Sequence, residues 1–114
     1  MTWLGEKQRH SLSARGIKTN TYSEERAPRS MQKMLPKLVK LLEVEGVPSE
    51  ILELNVSAKY QCPYLSYEGN EKDWGSIKLG VIDDIILMWG DEHGYRIESE
   101  EEDNGQPIWW IYLR

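Results

Sequence analysis

The chain has 114 residues, the size of one small domain. Its residues are 39% hydrophobic and 29% charged, close to the average for a globular protein. This composition excludes a wholly disordered chain, a collagen-like chain and a coiled-coil rod. The one cysteine, Cys62, excludes an intramolecular disulfide and a cysteine-rich zinc site.

Charge is divided unevenly along the chain. Residues 1–40 carry nine Lys or Arg and three Glu, a net charge of +6, whereas residues 41–114 have a net charge of −11. The basic part could bind nucleic acid phosphates, or it could bind the acidic part of the same chain or of a second copy. Neutralisation within the protein needs no external partner, so the sequence favours the second interpretation.

The sequence contains no visible targeting signal. The first fifteen residues lack the continuous apolar core of a signal peptide. The longest apolar runs, residues 85–89 and 108–113, are much shorter than the roughly 20 residues that a membrane-spanning helix needs. We therefore expect a cytoplasmic protein with no membrane partner, in which a single thiol stays reduced.

Residues 1–28 are interpreted as a flexible basic arm. Ser, Thr, Asn, Arg and Glu dominate much of this stretch, and little periodicity is sustained. Basic residues of the arm are the candidates for binding nucleic acid phosphates through charge: Lys7, Arg9, Arg15 and Lys18. The remaining residues, 29–114, are expected to form a single α+β domain.

Apolar spacing after residue 30 predicts a helix. The apolar residues recur at helical intervals: Met31, Met34, Leu35, Leu38, Leu41 and Leu42. Ser30 is a suitable N-cap, and Gly46 with Pro48 ends the pattern. Pro36 inside a helix would cost about 3 kcal/mol. Two interpretations remain, a kinked helix over residues 30–45 or a helix that begins at Leu35, and the sequence favours the second.

From Ile51 the period changes to two, which is typical of half-buried strands. The alternation runs through residues 52–60, is interrupted by Pro63, and resumes over residues 64–67. A further alternating stretch contains Ile77, Leu79 and Val81.

Residues 81–93 fit both a helix and a strand. Apolar residues share one helical face: Ile82, Ile85, Ile86 and Trp89. Asp83 and Asp84 suit the first turn of a helix. Gly90 would cost about 1 kcal/mol in a helix, and isoleucine is favoured in strands. The pattern favours the helix and leaves a paired strand open.

The segments Tyr95–Glu101 and Pro107–Leu113 predict a β-hairpin around a two-residue Asn104-Gly105 loop. In this register Glu100 lies opposite Trp109. Three apolar side chains then share a face with charged neighbours: Trp109, Ile111 and Leu113. We expect these three residues to form a protein interface, with cover by another part of the same chain as the alternative.

No catalytic motif stands out. His10 and His93 lie in different halves of the chain, without a nucleophile elbow or a phosphate loop. Cys62 has only Lys59 nearby as a base, so we interpret it as an inert buried thiol. We therefore predict a protein that is not an enzyme and that has no catalytic, cofactor-binding or metal-binding residues.

Acidic and aromatic residues form two further patterns. Residues 98–103 are mostly acidic, and Asp83 and Asp84 could join them, but the pattern of a calcium loop and a well-placed lysine are absent. We interpret these acids as a solvated surface. Three tyrosines could stack on nucleic acid bases, although acidic surroundings oppose phosphate: Tyr60, Tyr64 and Tyr67.

The sequence thus predicts a small α+β protein, with a mostly antiparallel sheet and one or two packed helices. We expect a non-enzymatic, self-associating protein-interaction module without a cofactor. The alternatives are a nucleic-acid-associated accessory protein that binds phosphates through its arm, and an acidic inhibitor that mimics DNA.

Overall fold

The structure is a computed structural model that describes residues 17–68, 79–102 and 105–113. Its strands are β1 (Lys18–Thr19), β2 (Leu52–Val56), β3 (Pro63–Tyr67), β4 (Tyr95–Glu101) and β5 (Pro107–Leu113). Its helices are α1 (Thr21–Arg26), α2 (Arg29–Val44) and α3 (Leu79–Glu92), with a 3₁₀ turn at Ser49–Ile51.

The strands form one five-stranded sheet in the order β1-β2-β3-β5-β4. β1 runs parallel to β2, and the other neighbouring strands pair antiparallel. The predicted α+β class with a mostly antiparallel sheet is therefore confirmed. No helix within the described segments is long and apolar enough to cross a membrane.

The hydrophobic core lies between one face of the sheet and the helices α2 and α3. The strands contribute alternate side chains, among them Leu54, Leu65 and Trp109, because successive residues of a strand point to opposite faces. The indole Nε1 of Trp89 donates to the Met34 carbonyl at 2.9 Å, which joins α3 directly to α2. The two helices consequently lie in one layer, and the opposite face of the sheet is its outer face.

α2 is one continuous helix that begins at Arg29 and passes through Pro36. The favoured start at Leu35 is therefore wrong, and the helix also begins one residue before the expected cap, Ser30. Met31 and Leu35 are both fully buried, and burying such side chains contributes roughly 1.5–3 kcal/mol each. This burial offsets the hydrogen bond that proline removes.

α2 ends where the sequence predicted. Gly46 has a φ of +73°, a conformation that glycine adopts without steric cost. Its N–H donates to the Glu43 carbonyl at 3.0 Å, while the N–H of Val47 donates to the Leu42 carbonyl at 2.9 Å. These two bonds satisfy carbonyls at the helix end and fix the direction in which the chain leaves it.

Part of the predicted arm belongs to the folded domain. β1 pairs with β2, Ile17 is fully buried, and Thr19 Oγ1 donates to the Leu54 carbonyl at 3.0 Å. Ser23 in α1 accepts a hydrogen bond from the N–H of Val56 at 2.9 Å. Residues of the segment 17–28 therefore make contacts with the sheet. Residues 1–16 are outside the described segments.

The helical interpretation of residues 81–93 is confirmed, since α3 spans Leu79–Glu92. Leu79 and Val81 accordingly belong to a helix rather than to an alternating strand, and Ile77 lies outside the described segments. Packing explains Gly90, which argued against a helix. A Cβ at this position would lie 2.5 Å from Ile97 Cγ1, so α3 approaches β4 too closely for a side chain.

The β4–β5 hairpin is confirmed, but its register differs by one residue from the prediction. The N–H of Glu102 donates to the Gln106 carbonyl at 2.9 Å, so three residues rather than two join the paired ends. Ser99 now lies opposite Trp109. Because side chains alternate along a strand, this shift puts Trp109 on the same face as Ser99, and Trp110 on the same face as Glu98 and Glu100.

Candidate interaction surfaces

The expected interface residues of β5 lie in the core. Trp109 and Ile111 are each 1% exposed, and Trp109 Nε1 donates to Asp83 Oδ1 of α3 at 2.9 Å. Cover by the same chain, the alternative left open by the sequence, is therefore what the structure shows for these two residues. The side chain of Leu113 lies outside what the structure describes.

The candidate phosphate-binding residues are not brought together within the described segments. Lys7, Arg9 and Arg15 lie outside these segments. Lys18 is exposed in β1 and stands opposite Glu53. Burial and Glu53 raise the pKa of Glu68, and the charge of Lys18 offsets this increase only in part. The carboxylates around Lys18 therefore disfavour the binding of a phosphate at this position.

An aromatic patch occupies the outer face of the sheet and consists of Tyr60, Tyr64, Trp110 and Tyr112. Tyr64 pairs opposite Trp110, and their ring centroids are 4.7 Å apart. The ring of Tyr60 meets Trp110 edge-on at 6.2 Å and is 64% exposed. Tyr67 is buried on the opposite face, so the three tyrosines singled out in the sequence do not form one surface.

A cavity of about 610 Å³ opens beside this patch. Its lining includes Tyr60, Trp110 and Tyr112 as aromatic walls, together with Cys62 and Glu100. This volume is in the usual range for sites that take a small molecule or a large side chain. The sequence predicted neither the cavity nor the patch, because the one-residue register error placed Trp110 on the wrong face.

Charged side chains border the aromatic patch. Glu100 Oε2 accepts a hydrogen bond from Trp110 Nε1 at 2.7 Å. The guanidinium of Arg96 lies 4.6 Å from the centroid of the Tyr112 ring, and Lys59 Nζ lies 5.1 Å from that of Tyr60. The chain thus already places cations on two rings of the patch.

Carboxylates make the part of the outer face around Tyr64 electronegative. Burial raises the pKa of Tyr64, and the nearby charges of Glu102, Glu53 and Glu68 raise it further. The pKa of Glu68 is also raised, first by burial and then by its hydrogen bond to Glu53 and the charge of Glu53. An electronegative face disfavours phosphate and favours cationic groups.

The cysteine and the histidines do not form a nucleophilic centre within the described segments. Burial raises the pKa of the Cys62 thiol, which disfavours the reactive thiolate form. The ring of His93 lies edge-on to Trp89, with centroids 6.1 Å apart, and His10 is outside the described segments.

The acidic residues considered for a cation site lie on two sides of the sheet. Asp83 bonds to Trp109 on the helix side, whereas Glu98 and Glu100 belong to the outer face. No group of three or more His, Cys, Asp or Glu in the part of the chain that the structure describes could hold a metal ion.

The helix layer carries a second surface. α2 exposes basic side chains at intervals of three and four residues: Arg29, Lys33, Lys37 and Lys40. The neighbouring helix α3 exposes acidic side chains: Asp84, Asp91 and Glu92. Leu87 and Met88, which are 41% and 46% exposed, are apolar residues of the same helix. We call these nine residues the helix-layer surface.

The basic side chains of the helix-layer surface have no ion-pair partner within the described segments. The salt bridges found there join Arg26 to Glu25 and Arg96 to Glu98, away from α2. The excess of basic residues among the first forty is visible in the sequence, but the stripe that four of them form on α2 was not predicted. Helical spacing could have shown part of this, because Lys33, Lys37 and Lys40 fall on one side of a helix over residues 30–45.

No family model matches the chain, and neither a curated protein nor a solved structure shows significant similarity to it.

Proposed function

We propose that the protein is a non-enzymatic interaction module that self-associates through its helix-layer surface. The observation that supports this most directly is the position of a basic stripe on α2 beside an acidic stripe on α3. Because one stripe is basic and the other is acidic, the surface of the helix layer is complementary in charge to the same surface of a second copy. A protein with such a surface can bind a second copy of itself without any other partner.

A two-fold axis that lies in the plane of the contact and runs between the two helices would place α2 of one copy on α3 of the other, and the reverse. Each basic stripe would then meet an acidic stripe, so that both halves of the contact are equivalent. Leu87 and Met88 would be removed from water in this contact, which supplies the apolar part that charge pairs alone lack.

Binding of nucleic acid is the competing proposal, because the stripe of α2 could also contact phosphates. Two observations favour self-association over this alternative. The stripe lies next to the acids of α3, and Lys18 lies among the carboxylates of the outer face. We place the protein in the cytoplasm, where a single protonated thiol such as Cys62 stays reduced.

Light scattering at several protein and salt concentrations tests the proposal. The mass expected at low salt and high protein concentration is twice the chain mass of 13.3 kDa. Salt should shift the mass toward one chain, since it screens the contacts between stripes. A mass of one chain under all conditions would contradict self-association. If duplex DNA then bound with strong salt dependence, the nucleic acid alternative would be supported instead.

A further inference from the structure

We propose that the cavity beside Trp110 is a binding subsite for an arginine side chain of a partner protein. This site lies at the outer face of the sheet, whereas the proposed self-association uses the helix layer. The two proposals therefore rest on different residues and can fail separately. The subsite would allow the module to hold a basic segment of another protein while its helices contact a second copy.

The walls of the cavity suit a planar cation. Tyr60 and Trp110 meet at an interplanar angle of 86°, so the cavity is bounded by rings in two different orientations, and Tyr112 adds a third ring. Aromatic rings attract cations through their negatively polarised faces, most strongly for Trp. A guanidinium, which is planar and weakly hydrated, can stack on such rings at a lower desolvation cost than an ammonium.

Glu100 supplies the negative charge. One of its carboxylate oxygens accepts from Trp110 Nε1 at 2.7 Å, which holds the carboxylate beside the indole ring. No cation within the described segments forms a salt bridge with it. A carboxylate fixed beside an aromatic wall can accept hydrogen bonds from a guanidinium while the ring stacks on it.

The basic residue that lines the cavity is engaged elsewhere. Arg26 Nη1 donates to the Tyr22 carbonyl at 3.1 Å and lies 3.6 Å from Glu25 Oε2. Its guanidinium carbon is 3.7 Å from the centroid of the Tyr22 ring. Because the charge of Arg26 is directed to these groups, it opposes an incoming arginine less than an unpaired cation would.

The contacts of the chain itself favour arginine as the occupant. Arg96 stacks on Tyr112 and also lies 3.9 Å from Glu98 Oε2, which combines an aromatic ring with a carboxylate. The proposed subsite repeats this combination with Trp110 and Glu100. A nucleotide base could stack on the same rings, but its phosphate would be repelled by the carboxylate of Glu100, which is held beside Trp110.

Titration of the full chain with a blocked pentapeptide, Gly-Ser-Arg-Ser-Gly, tests the subsite by NMR. The indole N–H signal of Trp110, assigned with Trp110→Phe, should shift as the peptide binds. A peptide with citrulline in place of arginine keeps the shape but lacks the charge. Its affinity should be lower by about tenfold or more, because a hydrogen bond to a charged group is stronger than one between neutral groups. A lysine peptide should bind more weakly than the arginine peptide.

Two variants locate the binding. Glu100→Gln should weaken arginine-peptide binding by about tenfold, as the charged partner is lost. Tyr60→Leu should weaken it without changing the carboxylate. Glu43→Gln, which removes the same charge from the exposed side of α2, is the matched control and should leave binding unchanged.

Four results would overturn the proposal. Equal binding of the citrulline and arginine peptides would show that the charge is not recognised. Signal shifts only at residues outside the cavity would show that the peptide binds elsewhere. A dT oligonucleotide could bind there more tightly than the peptide, which would indicate base stacking. Free arginine could bind more tightly than the blocked peptide, which would indicate a small-molecule site. Failure of the proposed self-association through the helix layer would affect none of these results.

Discussion

The indole nitrogen of Trp109 donates a hydrogen bond to Asp83 at 2.9 Å and thereby joins β5 to α3. Trp109 is 1% exposed, and its neighbour Trp110 lies on the opposite face of the sheet with its indole bonded to Glu100. Two adjacent tryptophans thus have different roles. One connects a strand to the helix layer, and the other forms part of an accessible surface.

The two tryptophans should respond differently to the same substitution. Trp109→Glu would put a carboxylate into the core beside Asp83, so we expect it to unfold the chain. Trp110→Glu should remain folded, because this residue is only half-buried on the outer face. Thermal unfolding followed by circular dichroism distinguishes the two. A cooperative transition of Trp109→Glu near the wild-type temperature would contradict this assignment of the core.

The close approach of α3 to β4 predicts opposite effects at two glycines. Gly90→Ala should lower the free energy of unfolding by about 1–3 kcal/mol, because the new methyl group would overlap Ile97. Gly80→Ala is the control in the same helix, where a Cβ meets nothing within 4 Å. It should raise stability by up to about 1 kcal/mol through helix propensity. Urea unfolding measures both, and equal effects would show that α3 does not pack closely at Gly90.

Periodicity was sufficient to predict much of this fold. The spacing of apolar side chains along a strand or a helix is a local property of the sequence. It correctly predicted a helix over residues 81–93, the end of α2 near Gly46 and the β4–β5 hairpin. Local rules failed where tertiary packing decided the outcome. Pro36 is tolerated because α2 has buried residues both before and after it in the sequence. Gly90 is favoured because a side chain there would overlap Ile97 of β4.

The candidate surfaces were harder to predict than the fold. β5 is apolar on both sides, so its sequence cannot indicate which tryptophan faces the core. The loop has one residue more than predicted, and this shift of register places Trp109 rather than Trp110 on the core face. Residues 17–28 were assigned to an arm because their pairing partner, β2, is distant in the sequence. The cavity beside Trp110 arises from three separate segments, and no local pattern describes it.

The Glu53–Glu68 contact predicts a dependence of stability on pH. The pKa of Glu68 is raised above its ordinary value of 4.5, so the folded state holds the proton more tightly than the unfolded state. This stabilisation is fully present below the ordinary pKa and is lost as pH rises through the folded pKa. Glu68→Gln should therefore gain stability relative to the wild type between pH 4.5 and neutral pH.

Urea unfolding of the wild type and Glu68→Gln over this pH range provides the measurement. Glu50→Gln, which removes a charge from an exposed position in the 3₁₀ turn, is the control and should show no such relative gain. A constant difference between wild type and Glu68→Gln at all pH values would show that Glu68 does not titrate abnormally.

Cys62 should react slowly in the folded protein. Its pKa is raised above 9.0, mainly by burial, and its Sγ donates to the Ile111 carbonyl at 3.5 Å. Alkylation by iodoacetamide below pH 9 should be much slower in the native protein than in urea, since the thiolate is the reactive form. Mass spectrometry follows the reaction. Equal rates in both states would contradict the protonated, partly buried thiol.

The central claim is that α2 of one copy binds α3 of another, and two charge-reversed variants test it most directly. Lys33→Glu with Lys37→Glu makes α2 acidic, and Asp84→Lys with Glu92→Lys makes α3 basic. Each variant alone would face like charges across the contact and should be monomeric. Lys18→Glu with Lys59→Glu, which changes the net charge equally at sites outside the helix layer, should still self-associate.

The decisive measurement is the light-scattering mass of the two reversed variants mixed in equal amounts at low salt. In the mixed pair, the acidic α2 would meet the basic α3, and the unaltered helices would meet as in the wild type. The mixture should recover a mass of twice 13.3 kDa although neither variant does so alone. A mixture that stays at 13.3 kDa while the wild type is dimeric would contradict the proposed contact between α2 and α3.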